Sequence, residues 1–131
     1  MNRLHLAGGA LFAGAIAVVL VTTSGDKQTT VEVKVPALSA AAAEGGKLFE
    51  ANCVACHGRN AGGSQQGPPL VHKIYEPGHH ADMSFFRAVG RGVKAHHWTF
   101  GDMPPIDGLT GEDVRRIVAY VRELQIANGI R

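Results

Sequence analysis

A framework of disulfides is excluded at the outset: the 131 residues include two cysteines, at positions 53 and 56. Bridges between distant loops need more cysteines, set further apart, so this pair serves a local purpose. An excess of one charge is also missing. Thirteen Lys and Arg face eleven Asp and Glu, a formal +2 with histidine neutral, whereas a nucleic-acid-binding domain is strongly basic on one face. From Ala41 onward ten basic and nine acidic residues leave +1, too little for net charge to steer a partner. There is no internal repeat and no sign of a second domain. The length suits one ordinary domain, and its folded part is about 90 residues. A domain of that size buries a limited share of its apolar surface and often recruits a metal, a disulfide or a cofactor to complete its core.

Arg3 precedes an uncharged run, LAGGALFAGAIAVVLV, from Leu6 to Val21, which has the polarity of a signal sequence and directs the chain out of the cytoplasm. Thr22-Thr23-Ser24-Gly25-Asp26 offers no small-residue cleavage pattern, and the cluster Ala40 to Ala43 is too distant. Extended from Leu4 to Thr23 the run covers about twenty residues, or roughly 30 Å of helix, enough to span a bilayer core. Residues 1–23 are therefore expected to form a hydrophobic helix kept as a membrane anchor. Arg3 inside and the domain on the periplasmic side agree with the positive-inside rule; the alternative is cleavage to a soluble periplasmic form. Residues 24–40 read as an extended linker. Val31-Glu32-Val33-Lys34-Val35 alternates with period two before Pro36, which suits a tether or a strand docked along a partner subunit.

Residues 41–131 carry helical signals. An Ala-rich stretch leads through Gly45, Gly46 and Phe49 to a helix end near Cys53. Gly58 to Gly78 has loop composition. Asp82 is predicted to cap a short helix through Phe85, Phe86 and Val89, with Gly92 as its stop. After a second loop over 93–109, Thr110-Gly111-Glu112-Asp113 has the form of a capping box. Apolar residues follow at 114, 117, 118, 121 and 124, with Arg115, Arg116, Arg122 and Glu123 on the other side.

Cys53-Val54-Ala55-Cys56-His57 is the C-x-x-C-H pattern of c-type haem attachment. Two thiols three positions apart reach the two vinyl groups of one macrocycle and hold the adjacent imidazole beneath the iron. Cys53 and Cys56 become thioethers and His57 the proximal ligand, its second nitrogen needing an acceptor. A thioredoxin-like pair would open a helix after a strand, but this one follows a helical stretch. A zinc site would have to complete its four ligands from histidines alone. A hexacoordinate electron carrier needs a sixth ligand, and a thioether raises the potential relative to a second imidazole. Met1 is the start. Met83, beside Phe85 and Phe86, reads as core filler. Met103 lies in Gly101-Asp102-Met103-Pro104-Pro105, where prolines stiffen the backbone that presents the sulfur.

Together GGKLFEANCVACHG, GPPL, GDMPP and a final amphipathic helix with Tyr120 resemble the class I cytochrome c family, mono-haem and His/Met ligated, over about residues 41–127. The resemblance implies an all-α cytochrome c fold, three to four helices around one covalent haem c. It makes Met103 the sixth ligand and the Pro68 carbonyl the acceptor for His57. Gly46, Phe49 and Tyr120 are placed where the first and last helices cross. Trp98 would hydrogen-bond a haem propionate or simply pack. Leu70, Phe85, Phe86 and Val89 are expected to keep water from the iron. The implied role is one-electron transfer, not enzymatic turnover, between a membrane donor such as quinol–cytochrome c reductase and a terminal oxidase or other periplasmic oxidoreductase. Two alternatives stand beside it: a fixed haem subunit of a larger respiratory complex, and a haem enzyme or sensor in which Met103 is displaced.

Beyond His57 the domain carries His72, His79, His80, His96 and His97. Paired histidines suit copper or nickel, or sense pH; no carboxylate or thiol pattern accompanies them, and the plainer reading is a polar rim over two loops.

Overall fold

The computed structural model describes residues 30–131, so the expected hydrophobic helix at 1–23 and the question of its cleavage lie outside the described residues. The fold is all-α: α1 spans Ala40–Asn52, α2 Val54–His57, α3 Asp82–Arg91 and α4 Gly111–Ala127, with single 3₁₀ turns at Arg59–Ala61 and Lys73–Tyr75. Among the described residues no helix is long and apolar enough to cross a membrane.

Each boundary has a local cause. Ser39 caps α1 through its hydroxyl, which accepts from the Ala42 N–H. The helix gives way at Cys53, whose N–H still bonds the Phe49 carbonyl; Cys53 in turn precedes α2, so the motif sits on a helical corner. The predicted box at the start of α4 forms in both directions: the Thr110 hydroxyl accepts from the Asp113 N–H and the Asp113 carboxylate accepts from the Thr110 N–H. Thr110→Ala should cost about 1 kcal/mol in urea unfolding. Hydrogen bonds from Thr110 hold the Asp113 carboxyl below its ordinary 3.8. A lowered folded pKa stabilises above the unfolded value, and that contribution is lost as pH falls through the folded one. The gap between Thr110→Ala and the parent protein should therefore narrow when unfolding is repeated in acid.

The cap predicted from Asp82 is not there. Ala81 occupies the cap position with no side-chain bond, and Asp82 is the first helical residue, free to pair with Arg122 at 2.8 Å. Arg122 itself departs from the expected solvent face. Its side chain is 13 % exposed, donates to the carbonyls of Tyr75 and His80, and lies 5.0 Å from the centroid of the Phe85 ring. Beside it Gln125, fully buried, donates to the carbonyls of Leu70 and Tyr75 at 2.8 and 3.0 Å. α4 thus buries two faces, an apolar one against α1 and a hydrogen-bonding one against the loop that leads to α3.

The core lies where α1 crosses α4. Ala42 and Phe49 pack with Val114, Ile117, Val118, Tyr120, Val121 and Leu124, and the Phe49 and Tyr120 rings meet at 5.5 Å with a 52° tilt, an edge-biased geometry that aromatic pairs favour. The stretch ahead of α1 is extended, yet it is not a free tether. Val31 N–H donates to the Gly62 carbonyl at 2.7 Å. Lys34 exchanges two bonds with the Asn128 side chain, Ser39 bonds Glu123, and Val33 packs on the core. The alternating strand-like segment docks on its own domain.

Candidate cofactor site

Helical corner, loop and α3 enclose a cavity of about 520 Å³, within the roughly 300–1,000 Å³ of ligand sites. Cys53, His57, Pro68, Trp98 and Met103 all stand on its wall. Cys56 does not; it lies exposed next to the cavity, at the end of the corner. Leu70, Phe85 and Val89 contribute apolar lining as expected, but Phe86 points elsewhere and packs against the core. Met83 is 56 % exposed, so it is neither core filler nor a cavity residue.

Three backbone devices place the polar groups. The loop after α2 brings the Pro68 carbonyl to 2.9 Å from His57 Nδ1, which leaves Nε2 as the free nitrogen. Gly92 ends α3 at φ +72°, and a Cβ there would meet the Met103 carbonyl at 2.5 Å; only glycine permits both the left-handed turn and the approach. Immediately beyond it Val93 and Met103 exchange two backbone hydrogen bonds of 2.9 Å, an isolated antiparallel bridge that pins Met103 to the end of α3.

Electrostatics at the corner favour neutral ligands. Burial, reinforced by Cys56, pushes the Cys53 thiol up to about 11, the opposite of the depressed values that mark reactive redox cysteines. Burial also lowers the His57 imidazole below its ordinary range, against the smaller opposing pull of Pro68. A neutral imidazole is the form that binds metal. Tyr75 is raised by burial, an effect reduced by a hydrogen-bonding pull from the Trp98 side chain, whose geometry falls short of satisfying the indole N–H.

One atom tests the fit to haem directly. Trp98 Nε1 is buried and has no hydrogen-bond partner, and a buried donor without one costs about 1–3 kcal/mol. A haem lying in this cavity has carboxylates to offer it. With soft sulfur and imidazole donors both lining one largely apolar cavity, the residues present fit the group.

The histidines of the two loops form a separate feature at the rim. His79, His80 and His97 bring ligand nitrogens within 4.8 Å of one another, while His72 stands apart, its Nδ1 accepting from the Ile74 N–H and its ring edge-on to Trp98. His97 titrates below an ordinary imidazole through desolvation and the neighbouring His96, His80 and His79.

A small all-α domain in which a Cys-x-x-Cys-His corner, a thioether and an unpaired indole N–H share one apolar cavity defines a c-type haem protein. A family model, Cytochrome c, matches residues 42–125, and the chain belongs to the cytochrome c family. Among curated proteins no match is found. The protein carries haem c, bound covalently with its iron, and its general role is haem-based electron transfer.

Proposed function

We propose that this cytochrome passes single electrons between redox proteins on the periplasmic face of the cytoplasmic membrane, from a donor such as a quinol–cytochrome c reductase to a terminal oxidase or another periplasmic oxidoreductase. The observation that carries it is the meeting of His57 and Met103 in the lining of one cavity, both fixed through backbone contacts. Bound there, the haem supplies an iron that cycles between Fe(III) and Fe(II). The protein's part would be to hold it: Cys53 and Cys56 as thioethers, His57 Nε2 and the Met103 sulfur as ligands to the iron, Trp98 Nε1 toward a propionate. Leu70, Phe85 and Val89 exclude water, which favours the less charged ferrous state. The reaction is electron transfer without bond making in a substrate.

Residues 1–23 anchor the domain. Since docking begins at Val31, seven residues, 24 to 30, separate the anchor from the folded part, and they reach at most roughly 25 Å. That short leash favours partners within the same membrane region and gives weight to the second reading, a haem subunit held in a larger respiratory complex. Recovery of a stoichiometric complex after mild solubilisation supports the second reading; a free monomer supports the first.

The ligand assignment is tested by absorption. The ferric holoprotein should show the weak long-wavelength band of thioether-ligated haem, and Met103→Ala should abolish it and lower the midpoint potential. A parent protein that lacks the band and binds carbon monoxide readily overturns the closed electron carrier in favour of a ligand-binding haem.

A further inference from the structure

The histidine cluster at the cavity rim has the construction of a metal site that electron transfer by haem does not use. His79 and His80 follow a turn fixed by two bonds from their N–H groups to the Glu76 carbonyl, at 3.0 and 2.8 Å. His97 comes from the loop after α3, which Asp102 braces by accepting from the Ala95 N–H at 2.9 Å. Two segments from opposite ends of α3 therefore deliver their imidazoles to one point.

One spacing suits an ion as well as a hydrogen bond. His79 Nε2 and His97 Nε2 lie 3.3 Å apart, a long hydrogen bond when one of the two rings carries the proton between them. Two nitrogens bound tetrahedrally at 2.0–2.1 Å from zinc lie about 3.3–3.4 Å apart. His80 Nδ1 is 2.6 Å from the Ile74 carbonyl. Donating its proton there fixes the tautomer and leaves Nε2 with its lone pair, the outer-shell arrangement that metal-binding histidines almost always have. His79 and His97 are exposed and His80 is half-buried, so a fourth position stays open to water.

We propose that His79, His80 and His97 bind a divalent transition ion of imidazole preference, Zn(II) by the 3.3 Å between the His79 and His97 nitrogens and the all-imidazole donor set. All three ligands are neutral, with no carboxylate or thiolate among them, so the bound ion keeps its full charge. His80 and His97 also line the haem cavity. A dication at that rim favours the reduced over the oxidised iron by Coulomb interaction. The ion thus joins the two loops that flank α3 and raises the reduction potential.

The holoprotein, stripped with chelator, is titrated with Zn(II) alone by calorimetry and its metal content measured after dialysis. One Zn(II) per chain is expected. The variant His79→Gln, at the one ligand that does not line the haem cavity, should bind at least ten-fold more weakly, with helical circular dichroism and the long-wavelength haem band unchanged as the check on folding. Absence of binding in the parent protein, or equal binding in the variant, overturns the site. Uptake of Cu(II) with rejection of Zn(II) overturns the tetrahedral assignment. In parallel potentiometry Zn(II) should raise the midpoint potential of the parent protein and not of the variant; an unchanged potential overturns the coupling to the cavity.

Discussion

Gly45→Ala is expected to destabilise the holoprotein by about 3 kcal/mol or more, while Gly46→Ala one position on changes stability by less than about 1 kcal/mol. A Cβ on Gly45 would sit 1.8 Å from the Arg116 carbonyl oxygen and 2.4 Å from its carbon. Those are backbone atoms inside α4, and relief requires moving one helix away from the other. The crossing holds Phe49 and Leu124 fully buried, so separation loosens the whole core. At Gly46 the new methyl would meet the Tyr120 ring at 3.3 Å. A ring tilts by a few tenths of an ångström at small cost, partly offset by the better helix propensity of alanine, about 0.5–1 kcal/mol over glycine. Thermal unfolding separates the two variants plainly: each kcal/mol shifts the midpoint by roughly 4–8 °C in a domain of this size. Equal effects at the two positions would contradict the crossing described above.

That pair of glycines marks the limit of what sequence reading reaches. The resemblance pointed to Gly46 with Phe49 and Tyr120, and these do meet; that Gly45 takes the closest approach depends on the rotation of α1 relative to α4, a tertiary fact. The capping box at Thr110 and the apolar stripe of α4 were legible because both are written within a few residues of one another. Arg122 was not. A periodic stripe names one buried face, but α4 has a second one, made polar because it meets the backbone carbonyls of Tyr75 and His80. Asp82 went astray for the same reason: an acidic residue at a helix start resembles a cap, whereas here it answers Arg122 from across the fold.

The candidate site divides in the same way. Cys53, Cys56 and His57 fall within five consecutive residues, and their motif speaks for itself. Met103 was separable from Met83 by its Met-Pro loop and the family resemblance; the bridge to Val93 shows how its backbone is held, and only the structure shows Met83 at the surface and not in the core. The histidine pairs were visible as pairs, but the convergence of His79, His80 and His97 follows only once α3 brings its two flanking loops together. The alternation at 31–35 looked like a tether because its partners, Gly62 and Asn128, lie about 30 and 94 positions away along the chain.

The remaining large effect is expected from Gln125→Leu, a change of nearly constant volume that should cost about 2–4 kcal/mol. Gln125 is the one fully buried polar side chain among the described residues, and its amide is used at both ends. Nε2 donates to the Leu70 and Tyr75 carbonyls, and Oε1 accepts from Arg122 at 2.6 Å. Leucine satisfies the volume and none of these bonds. It leaves the Leu70 carbonyl buried without a donor and removes one acceptor from the guanidinium; the Tyr75 carbonyl keeps its bond from Arg122. Arg122→Met strikes the same loop from the other side, so the two single losses should not add, and a double-mutant cycle should return a coupling of about 1 kcal/mol or more. Consequences reach the cofactor cavity, because the loop pinned by Gln125 at Leu70 is the one that carries Pro68 to His57. Amide exchange at Leu70 and Val71, whose N–H groups bond the Ala61 carbonyl, should accelerate in Gln125→Leu ahead of global unfolding. Protection there equal to the parent protein's would mean that the loop is held by the haem attachment alone and not by α4.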